Sequence, residues 1–283
     1  PRDPANTNDH IPRGSGSSGN TDTRIAKESI AVQLDPCNQQ AKKEATEHPV
    51  SIPTGNKLLP ESDFAAPPLA GVALEVTRYY DKSLGRTGIF GNKWASSIEY
   101  TLSFDYNGNQ CHGRLNTVVS CNTGGQPLTA IYANRTNGFA TPFSKDAAGI
   151  WHNDSGASIS ASGANWVLTG KDGSQEIYDS YGRPLTIRDE RNIGLAYSYN
   201  GSNQLATITH TSGRSIALTW SGTKVVAITA PNGKAYGYGY NTNGYLASVV
   251  YPDTLGTPTY HYEDTAQPVG LTGVSINAVR YSR

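Results

Sequence analysis

Several features that usually indicate a protein's class are missing from this sequence. Methionine is absent from all 283 residues, including the first, so we expect a piece of a longer product. Net charge is also absent, because 23 basic residues balance 23 acidic ones, and no overall field would attract nucleic acid or an anionic membrane. No apolar run approaches the roughly 18 residues of a membrane-spanning helix, and no signal-peptide pattern opens the chain. We therefore predict a soluble protein with no nucleic-acid partner and no membrane span.

Cysteine is scarce, with only Cys37, Cys111 and Cys121, so at least one thiol is unpaired. Cys111 and Cys121 flank a segment that is a plausible hairpin. A disulfide between them would contribute roughly 2–3 kcal/mol to the stability of the fold. Two free thiols are an equally open interpretation, because the sequence does not fix the redox compartment. A zinc site is not expected, since a second pair of ligands is missing.

The sequence does contain one pattern of about 20 residues, written four times between Pro184 and Asp264. The leading apolar residues of the copies are Leu185, Leu205, Val225 and Leu246. The closing bulky pairs are Tyr197/Tyr199, Leu218/Trp220, Tyr238/Tyr240 and Tyr260/Tyr262. A fixed period of this size indicates an array in which each unit packs against its neighbours. We predict an all-β fold of stacked antiparallel hairpins, one per copy, in a large curved sheet.

The two members of each closing pair should share one face of a strand, because side chains two residues apart point the same way. Buried, the pairs would form a continuous core ladder. Exposed, they would offer a platform for sugar rings or single-stranded bases. The arrival of one pair per structural repeat favours the core. The face of the strand opposite Tyr238 and Tyr240 carries only Gly237 and Gly239. This bare backbone predicts a sharp bend or the close approach of another element.

A fifth copy begins at Leu271 and stops before its aromatic pair. An array cut inside a repeat would expose an unpaired strand edge. We therefore expect native sequence beyond Arg283, and association or aggregation of this piece when it is isolated.

Four regions follow from the composition. Residues 1–47 are polar and rich in Pro, Gly and Ser, which predicts a flexible leader with at most a short helical turn over 41–47. Residues 48–121 and 122–175 alternate β-prone runs with turns, and residues 176–283 carry the repeats. Core positions expected in 122–175 are Ile131, Tyr132, Trp151, Ile159 and Trp166 to Leu168.

Within residues 48–121, alternation predicts a strand over Val72 to Tyr80, with Val72, Leu74, Val76 and Arg78 on one face. A second strand is predicted from Ser97 to Asp105. Asn107-Gly108 is a strong signal for a two-residue hairpin turn, so the chain should fold back through Cys111.

We find no catalytic, cofactor-binding or metal-binding residues in the sequence and predict no cofactor and no enzyme activity. The six histidines are scattered without metal-ligand spacing, although adjacent strands could bring His210 and His261 together. Acidic residues fall in predicted turns, where Asp is favoured for local hydrogen bonds; these are Asp172, Asp179, Asp189, Glu190, Asp253 and Asp264. A pair of them acting in glycoside hydrolysis is the weakest alternative.

The repeats resemble the YD repeats of Rhs proteins, toxin-complex subunits and teneurins. The matching segments are Gly182-Arg-Pro-Leu185 through Tyr197-Ser-Tyr199-Asn200, Pro231-Asn-Gly233 through Tyr238-Gly-Tyr240-Asn241, and Gly244-Tyr-Leu246 through Tyr260-His-Tyr262-Glu263. Three upstream segments resemble the entry region of bacterial Rhs proteins: HPVSIPTGNKLLPESDF, LEVTRYYDKS and GIFGNKW. The resemblance covers residues 48–283, but the DPxGL-type self-cleaving sequence and a PAAR-like tip are absent.

This resemblance implies a structural segment of a shell that encloses a C-terminal toxin domain of an exported bacterial effector. The implied partners are the remainder of the Rhs shell, the toxin domain and a secretion-system spike or injection machine. The implied location is secreted or at the bacterial cell surface. The alternative of another class is a cell-surface adhesion or carbohydrate-binding protein that uses the aromatic ladder.

Overall fold

The computed structural model describes residues 50–51, 56–66, 71–85, 87–135, 139–252 and 256–281. Every regular element in these ranges is a β-strand, 24 in all. The leader and the helical turn predicted over 41–47 lie outside the described residues. None of the described segments forms a helix of the length and hydropathy needed to cross a membrane.

The strands of the N-terminal half are β1 (Val50–Ser51), β2 (Asn56–Ala65), β3 (Glu75–Asp81), β4 (Thr87–Gly88), β5 (Gly91–Asn92), β6 (Trp94–Ser96), β7 (Thr101–Tyr106), β8 (Asn109–His112), β9 (Ala130–Asn134), β10 (Ala140–Lys145), β11 (Trp151–His152) and β12 (Ser158–Ser162). The strands of the C-terminal half are β13 (Asn165–Thr169), β14 (Gln175–Tyr178), β15 (Pro184–Arg188), β16 (Gly194–Tyr199), β17 (Leu205–His210), β18 (Ser215–Ser221), β19 (Lys224–Thr229), β20 (Ala235–Tyr240), β21 (Leu246–Val250), β22 (Pro258–His261), β23 (Gly273–Ile276) and β24 (Val279–Tyr281).

The strands pair in an antiparallel ladder that mostly follows chain order. From β10 to β24 each strand pairs with the next one along the chain, and β10 is joined through β9 to β7 and β8. A separate sheet has the order β1-β2-β3-β6, and β4 and β5 form a small pair. The predicted all-β fold of stacked antiparallel hairpins is confirmed.

The closing aromatics Tyr199, Trp220 and Tyr240, and Tyr178 before the first repeat, each lie at a β-bulge, which shifts the pairing by one residue. In three repeats the bulge pairs the closing side chain with the predicted leading residue, as in Tyr199 with Leu205. The bulge at the start of the first repeat makes the equivalent pair, Tyr178 with Pro184. The choice of Leu185 as the leading residue was therefore wrong by one position, because the bulge places Pro184 in the core and leaves Leu185 half-buried.

A turn with a side-chain cap follows the closing aromatics Tyr199 and Tyr240. In the turn after Tyr199, the Asn200 side-chain oxygen accepts hydrogen bonds from the amides of Ser202 and Gln204, both at 3.0 Å. Asn241 caps the equivalent turn two hairpins later in the same way. The Asn or Asp after the aromatic thus satisfies backbone amides that the turn leaves free.

The aromatic pairs form core, as favoured by the sequence. Tyr197, Leu218, Tyr238 and Tyr260, the first members, are 3 to 8% exposed, and the second members are half-buried against them. Upstream, the core positions Ile131, Trp151, Ile159 and Leu168 are confirmed. Tyr132 and Val167 are only half-buried, because alternate strand residues turn away from the core. Trp166 shares the face of Leu168 and packs against the core, but it is also half-buried.

The strands of residues 48–121 follow the prediction in part. Strand β3 begins at Glu75 rather than Val72, but Val76 and Arg78 share the buried face as predicted. The strand predicted from Ser97 to Asp105 is confirmed from Thr101 onward as β7, but its start was placed four residues too early, since a turn divides β6 from β7, with the Glu99 amide bonded to the Ser96 carbonyl. The Asn107-Gly108 turn is confirmed, with φ of +52° and +94°.

The two glycines of β20 face a side chain of their own sheet. A Cβ at Gly239 would lie 2.4 Å from the Ser248 hydroxyl oxygen on neighbouring β21. Strand β20 runs unbroken from Ala235 to Tyr240. The predicted close approach is therefore made by the adjacent strand, and the predicted sharp bend does not occur.

Candidate functional site

The candidate functional site is the interface between the entry segment, residues 56–116, and the repeat hairpins, residues 176–281. Asp63 is placed there by a β-bulge in β2, since Ser62 pairs with Thr77 and Phe64 with Val76, leaving Asp63 as the extra residue. Arg78 reaches the same point from the buried face of β3. The local backbone thus aims one acid and one base into the core.

Asp63 and Arg78 form a fully buried ion pair. Both side chains are 0% exposed, and Arg78 donates from Nε to Oδ2 at 2.6 Å and from Nη2 to Oδ1 at 2.7 Å. This two-pronged geometry is the strongest form of carboxylate recognition by arginine. Burial opposes the charge on Arg78, but the neighbouring Asp63 carboxylate raises its pKa well above the usual value. The pair is therefore held in its charged form.

The repeats supply the remaining partners of this ion pair. Tyr238 and Tyr251 donate their hydroxyls to Asp63 at 2.9 and 3.0 Å, and Arg78 Nη2 donates to the Tyr260 hydroxyl at 3.1 Å. The Arg78 guanidinium also lies within 6 Å of the ring centres of Trp94, Tyr238 and Tyr260, a distance at which cation–π attraction operates. Entry segment and repeats are joined through one polar network.

Burial raises the pKa values of the tyrosine hydroxyls in this network. It raises the pKa of Tyr238 well above its usual value, with the Asp63 carboxylate adding to the shift. It also raises the pKa of Tyr260 to about 12, although the Arg78 charge acts in the opposite direction. Both hydroxyls therefore stay protonated at neutral pH, so the Tyr238 hydroxyl can donate to Asp63.

The second aromatic of each pair makes a hydrogen bond that recurs through the array. Its side chain donates to the carbonyl oxygen of the leading residue of the same repeat. The bonds are Tyr199 to Pro184 at 2.9 Å, Trp220 to Leu205 at 2.7 Å, Tyr240 to Val225 at 2.7 Å and Tyr262 to Leu246 at 3.0 Å. Tyr262 also accepts from Trp94 Nε1 at 3.0 Å. Each repeat is thus closed by an equivalent hydrogen bond, so these bonds recur with the period of the sequence repeat.

Backbone contacts dock the entry segment on successive repeats. The Leu102 amide donates to the Gly182 carbonyl at 2.8 Å. The amides of two leading residues, Leu205 and Val225, donate to the carbonyls of Leu115 at 2.7 Å and Ile89 at 3.0 Å. The entry segment therefore meets successive hairpins through its backbone, while the side chains of its docking residues Ile89, Leu102 and Leu115 are buried in the core.

A second charged cluster joins β14 to the end of β9. Arg135 Nη2 donates to Glu176 at 2.9 Å, and the Tyr178 hydroxyl donates to the same carboxylate. Glu176 occupies the place that the first aromatic takes in later repeats. Burial, with a smaller effect from Glu176, raises the pKa of neighbouring Tyr100 to about 12. The Tyr197 hydroxyl is buried nearby without a partner among the described residues.

The residues singled out for chemistry are not brought together. His210 on β17 and His261 on β22 lie on strands that do not pair, and their partners are the Ser212 amide and the Ser275 hydroxyl. The described residues contain no group of three or more His, Cys, Asp or Glu side chains able to hold a metal. Asp172, Asp179, Asp189 and Asp264 accept backbone amides in turns, as predicted. Asp253 lies outside the described residues.

The Asp63–Arg78 pair is the feature that sequence reasoning missed. Arg78 was placed correctly on an apolar face, and a buried arginine requires a partner charge. Asp63 is the acid that lies among apolar residues of the preceding β-prone run, in ESDF. An arginine on an apolar face, together with an acid in the preceding strand, was the sequence signal for this ion pair.

Comparison with known proteins gives a family match and matches to solved structures. Residues 47–118 match a family model described as a domain of unknown function, DUF6531. The chain is similar to the crystal structure of TcdB2-TccC3-Cdc42, with 11% identity, a TM-score of 0.32 and coverage of 81% of this chain. It is similar to that of TcdB2-TccC3 without its hypervariable C-terminal region, with 13% identity, a TM-score of 0.32 and 80% coverage.

The matched region spans only 15% and 14% of the two solved chains. No curated protein matches the sequence. The DUF6531 match covers the whole entry segment and includes both Asp63 and Arg78.

Proposed function

We propose that this chain is a non-enzymatic wall segment of an Rhs/YD-repeat shell that encloses a C-terminal toxin domain of an exported bacterial effector. The observation that carries the proposal is the docking of the entry segment along the repeats, centred on the Asp63–Arg78 pair. A wall needs such fixed attachment of its first segment, because each hairpin otherwise contacts only its neighbours in the ladder.

The chemistry of the interface also supports a structural role. Its charged groups, Asp63 and Arg78, are fully buried and paired with each other, so they do not face a substrate, although Arg78 Nη1 has no hydrogen-bond partner among the described residues. The first aromatics of the repeats are buried as well, which leaves no exposed ladder of paired rings for sugar binding. Under this proposal the wall acts by exclusion: it separates cargo from the surrounding solution. Its partners are the rest of the shell, the toxin domain and the delivery machine.

The test uses the natural polypeptide that contains residues 1–283. Limited proteolysis should leave its C-terminal domain intact while the same domain produced alone is digested. Asp63→Asn should increase digestion of the enclosed domain, because the first segment of the wall is no longer fixed. The proposal would be contradicted if the intact mass of the natural polypeptide showed that it ends at Arg283. It would also be contradicted if the C-terminal domain were digested equally within the full polypeptide and when produced alone.

A glycan array with the same protein separates the wall from the adhesion alternative. Specific binding that is lost when half-buried Tyr240 becomes Ala, with unchanged circular dichroism, would favour carbohydrate recognition. The wall proposal expects no specific glycan binding.

A further inference from the structure

Cys111 and Cys121 form a disulfide, with their Cα atoms 5.5 Å apart, and it closes a loop that begins in the entry segment and extends past its end. Cys111 is anchored on β8, where it pairs with Phe104 of β7. Between β8, which ends at His112, and β9, which begins at Ala130, the described chain has no strand. The disulfide is therefore the covalent constraint on a segment that the sheet ladder does not hold.

This loop carries a set of docking contacts with the repeats. Leu115 is 2% exposed, and its carbonyl accepts the hydrogen bond of the Leu205 amide at 2.7 Å. Asn116 donates its side-chain amide to the Thr223 carbonyl at 2.9 Å. A Cβ on Gly113 would lie 2.3 Å from the Gly182 carbonyl oxygen, so the loop backbone touches that turn directly. The nine residues between the two cysteines thus contact the array at three points, Gly182, Leu205 and Thr223.

The sulfur atoms lie where a small thiol can approach them. Both cysteines are half-buried rather than buried, and His112, Arg114 and Ser120 around them are exposed. A cavity of about 410 Å³ borders the disulfide, lined in part by Gln110 and Val119. Access of this kind distinguishes labile disulfides from those sealed in a core.

We propose that the Cys111–Cys121 disulfide is a redox-sensitive clamp that fixes the 113–116 contacts on the repeats and loosens them when a cellular thiol reduces it. A thiolate attacks one Sγ, forming a mixed disulfide and releasing the other cysteine as a thiolate. A second thiol then displaces the first cysteine. In balance, the protein disulfide takes up two electrons and two protons, and two small thiols become one disulfide. The step is independent of what the array encloses.

Reduction acts through chain entropy. The linked loop has few conformations available when its contacts open, whereas the reduced loop has many. The Leu205 amide should therefore spend more time unbonded in the reduced protein, and its hydrogen exchange should accelerate by on the order of tenfold or more. The Val225 amide provides an internal control, because it donates to Ile89, which lies outside the disulfide loop.

The test is hydrogen exchange by mass spectrometry on the full chain carrying Cys37→Ser, which prevents other cysteine pairings. Oxidised protein is compared with protein reduced by dithiothreitol. The expected result is faster exchange in peptides that contain Leu205, with Val225 peptides unchanged. Equal exchange at Leu205 in both states would overturn the clamp, and so would equal acceleration at Leu205 and Val225, which indicates global loosening.

A second variant checks the assignment to this disulfide. Cys111→Ser with Cys121→Ser, in the Cys37→Ser background and without reductant, should reproduce the exchange of the reduced protein. Adding dithiothreitol to that variant should change nothing. If the variant does not fold, the comparison of oxidised and reduced protein remains decisive on its own.

Discussion

The hydroxyl of Tyr240 donates a hydrogen bond of 2.7 Å to the carbonyl oxygen of Val225, 15 residues earlier in the chain. Equivalent bonds join Tyr199 to Pro184 and Trp220 to Leu205 at the same separation. The closing aromatic is thus required for two reasons: its ring packs on the core, and its polar atom satisfies a strand carbonyl at the bulge. Tryptophan can replace tyrosine there because its Nε1 is also a donor.

Tyr240→Phe isolates the hydrogen bond from the packing of the ring. The variant keeps the aromatic contact but leaves the Val225 carbonyl unpaired, which should lower the free energy of unfolding by about 1–2 kcal/mol. Urea denaturation followed by tryptophan fluorescence measures the change. Tyr245→Phe is the matched control, because the Tyr245 hydroxyl makes no hydrogen bond to another described side chain or carbonyl. Equal stability of the two variants would show that the bond contributes nothing.

Asp63→Asn should be among the most destabilising single changes in the chain. The amide keeps the size of the carboxylate but leaves Arg78 charged and uncompensated in a site where both side chains are 0% exposed. Breaking a buried pair from one side costs about 3–5 kcal/mol. The measurement is the shift of the urea midpoint at constant slope.

The control for Asp63→Asn is Arg280→Gln, which removes a pair with Glu263 that has similar two-pronged geometry but is solvent-exposed. We expect little change in stability from that variant, because water and salt screen an exposed pair. A small effect at both sites would mean that the buried pair does not fix the entry segment.

Stability should fall at alkaline pH through buried tyrosines. Burial raises the pKa of Tyr100 and of Tyr260 to about 12, whereas a tyrosine in the unfolded chain ionises near about 10. The unfolded state therefore loses its protons first as pH rises. Stability from these groups is complete below about pH 10 and is lost between about 10 and 12, at up to about 1.4 kcal/mol per pH unit for each tyrosine.

Denaturation curves at several pH values between about 8 and 12 test this dependence. Tyr100→Phe should make the alkaline decline shallower by about one proton, since one of the shifted groups is gone. An unchanged slope in that variant would exclude Tyr100 as a contributor.

The sequence predicted the repeats well because their signals are local. Alternating side chains and capped turns specify each hairpin within about 20 residues, and pairing of neighbouring hairpins then requires no long-range information. The position of Leu185 was misjudged because a β-bulge adds one residue, and nothing in local periodicity reveals it. The bulge at Asp63 hid the ion pair for the same reason.

The docking of the entry segment was not predictable from residue types. Leu205 and Val225 meet the entry segment through backbone amides, and Leu115 and Ile89 accept through carbonyls. Such contacts leave no mark in side-chain chemistry. Their trace in the sequence is glycine where two backbones touch, as at Gly113 and Gly182.

Gly182→Ala and Gly213→Ala form a matched pair that measures this docking. Both glycines occupy the same place in equivalent turns, with φ of +78° and +85°, and each amide donates to the residue three positions earlier. An added Cβ at Gly213 meets no atom within 4 Å, whereas at Gly182 it lies 2.5 Å from the Leu102 carbonyl oxygen.

Both variants share the backbone strain of an alanine at positive φ, about 1–2 kcal/mol, and Gly182→Ala alone adds the clash with the entry segment. We expect Gly182→Ala to be more destabilising by a further ~1–3 kcal/mol, the usual range for overpacking. Faster hydrogen exchange at Leu102, whose amide donates to the Gly182 carbonyl, should accompany it. Equal stability of the two variants, with unchanged exchange at Leu102, would mean that the entry segment does not bear on this turn in solution.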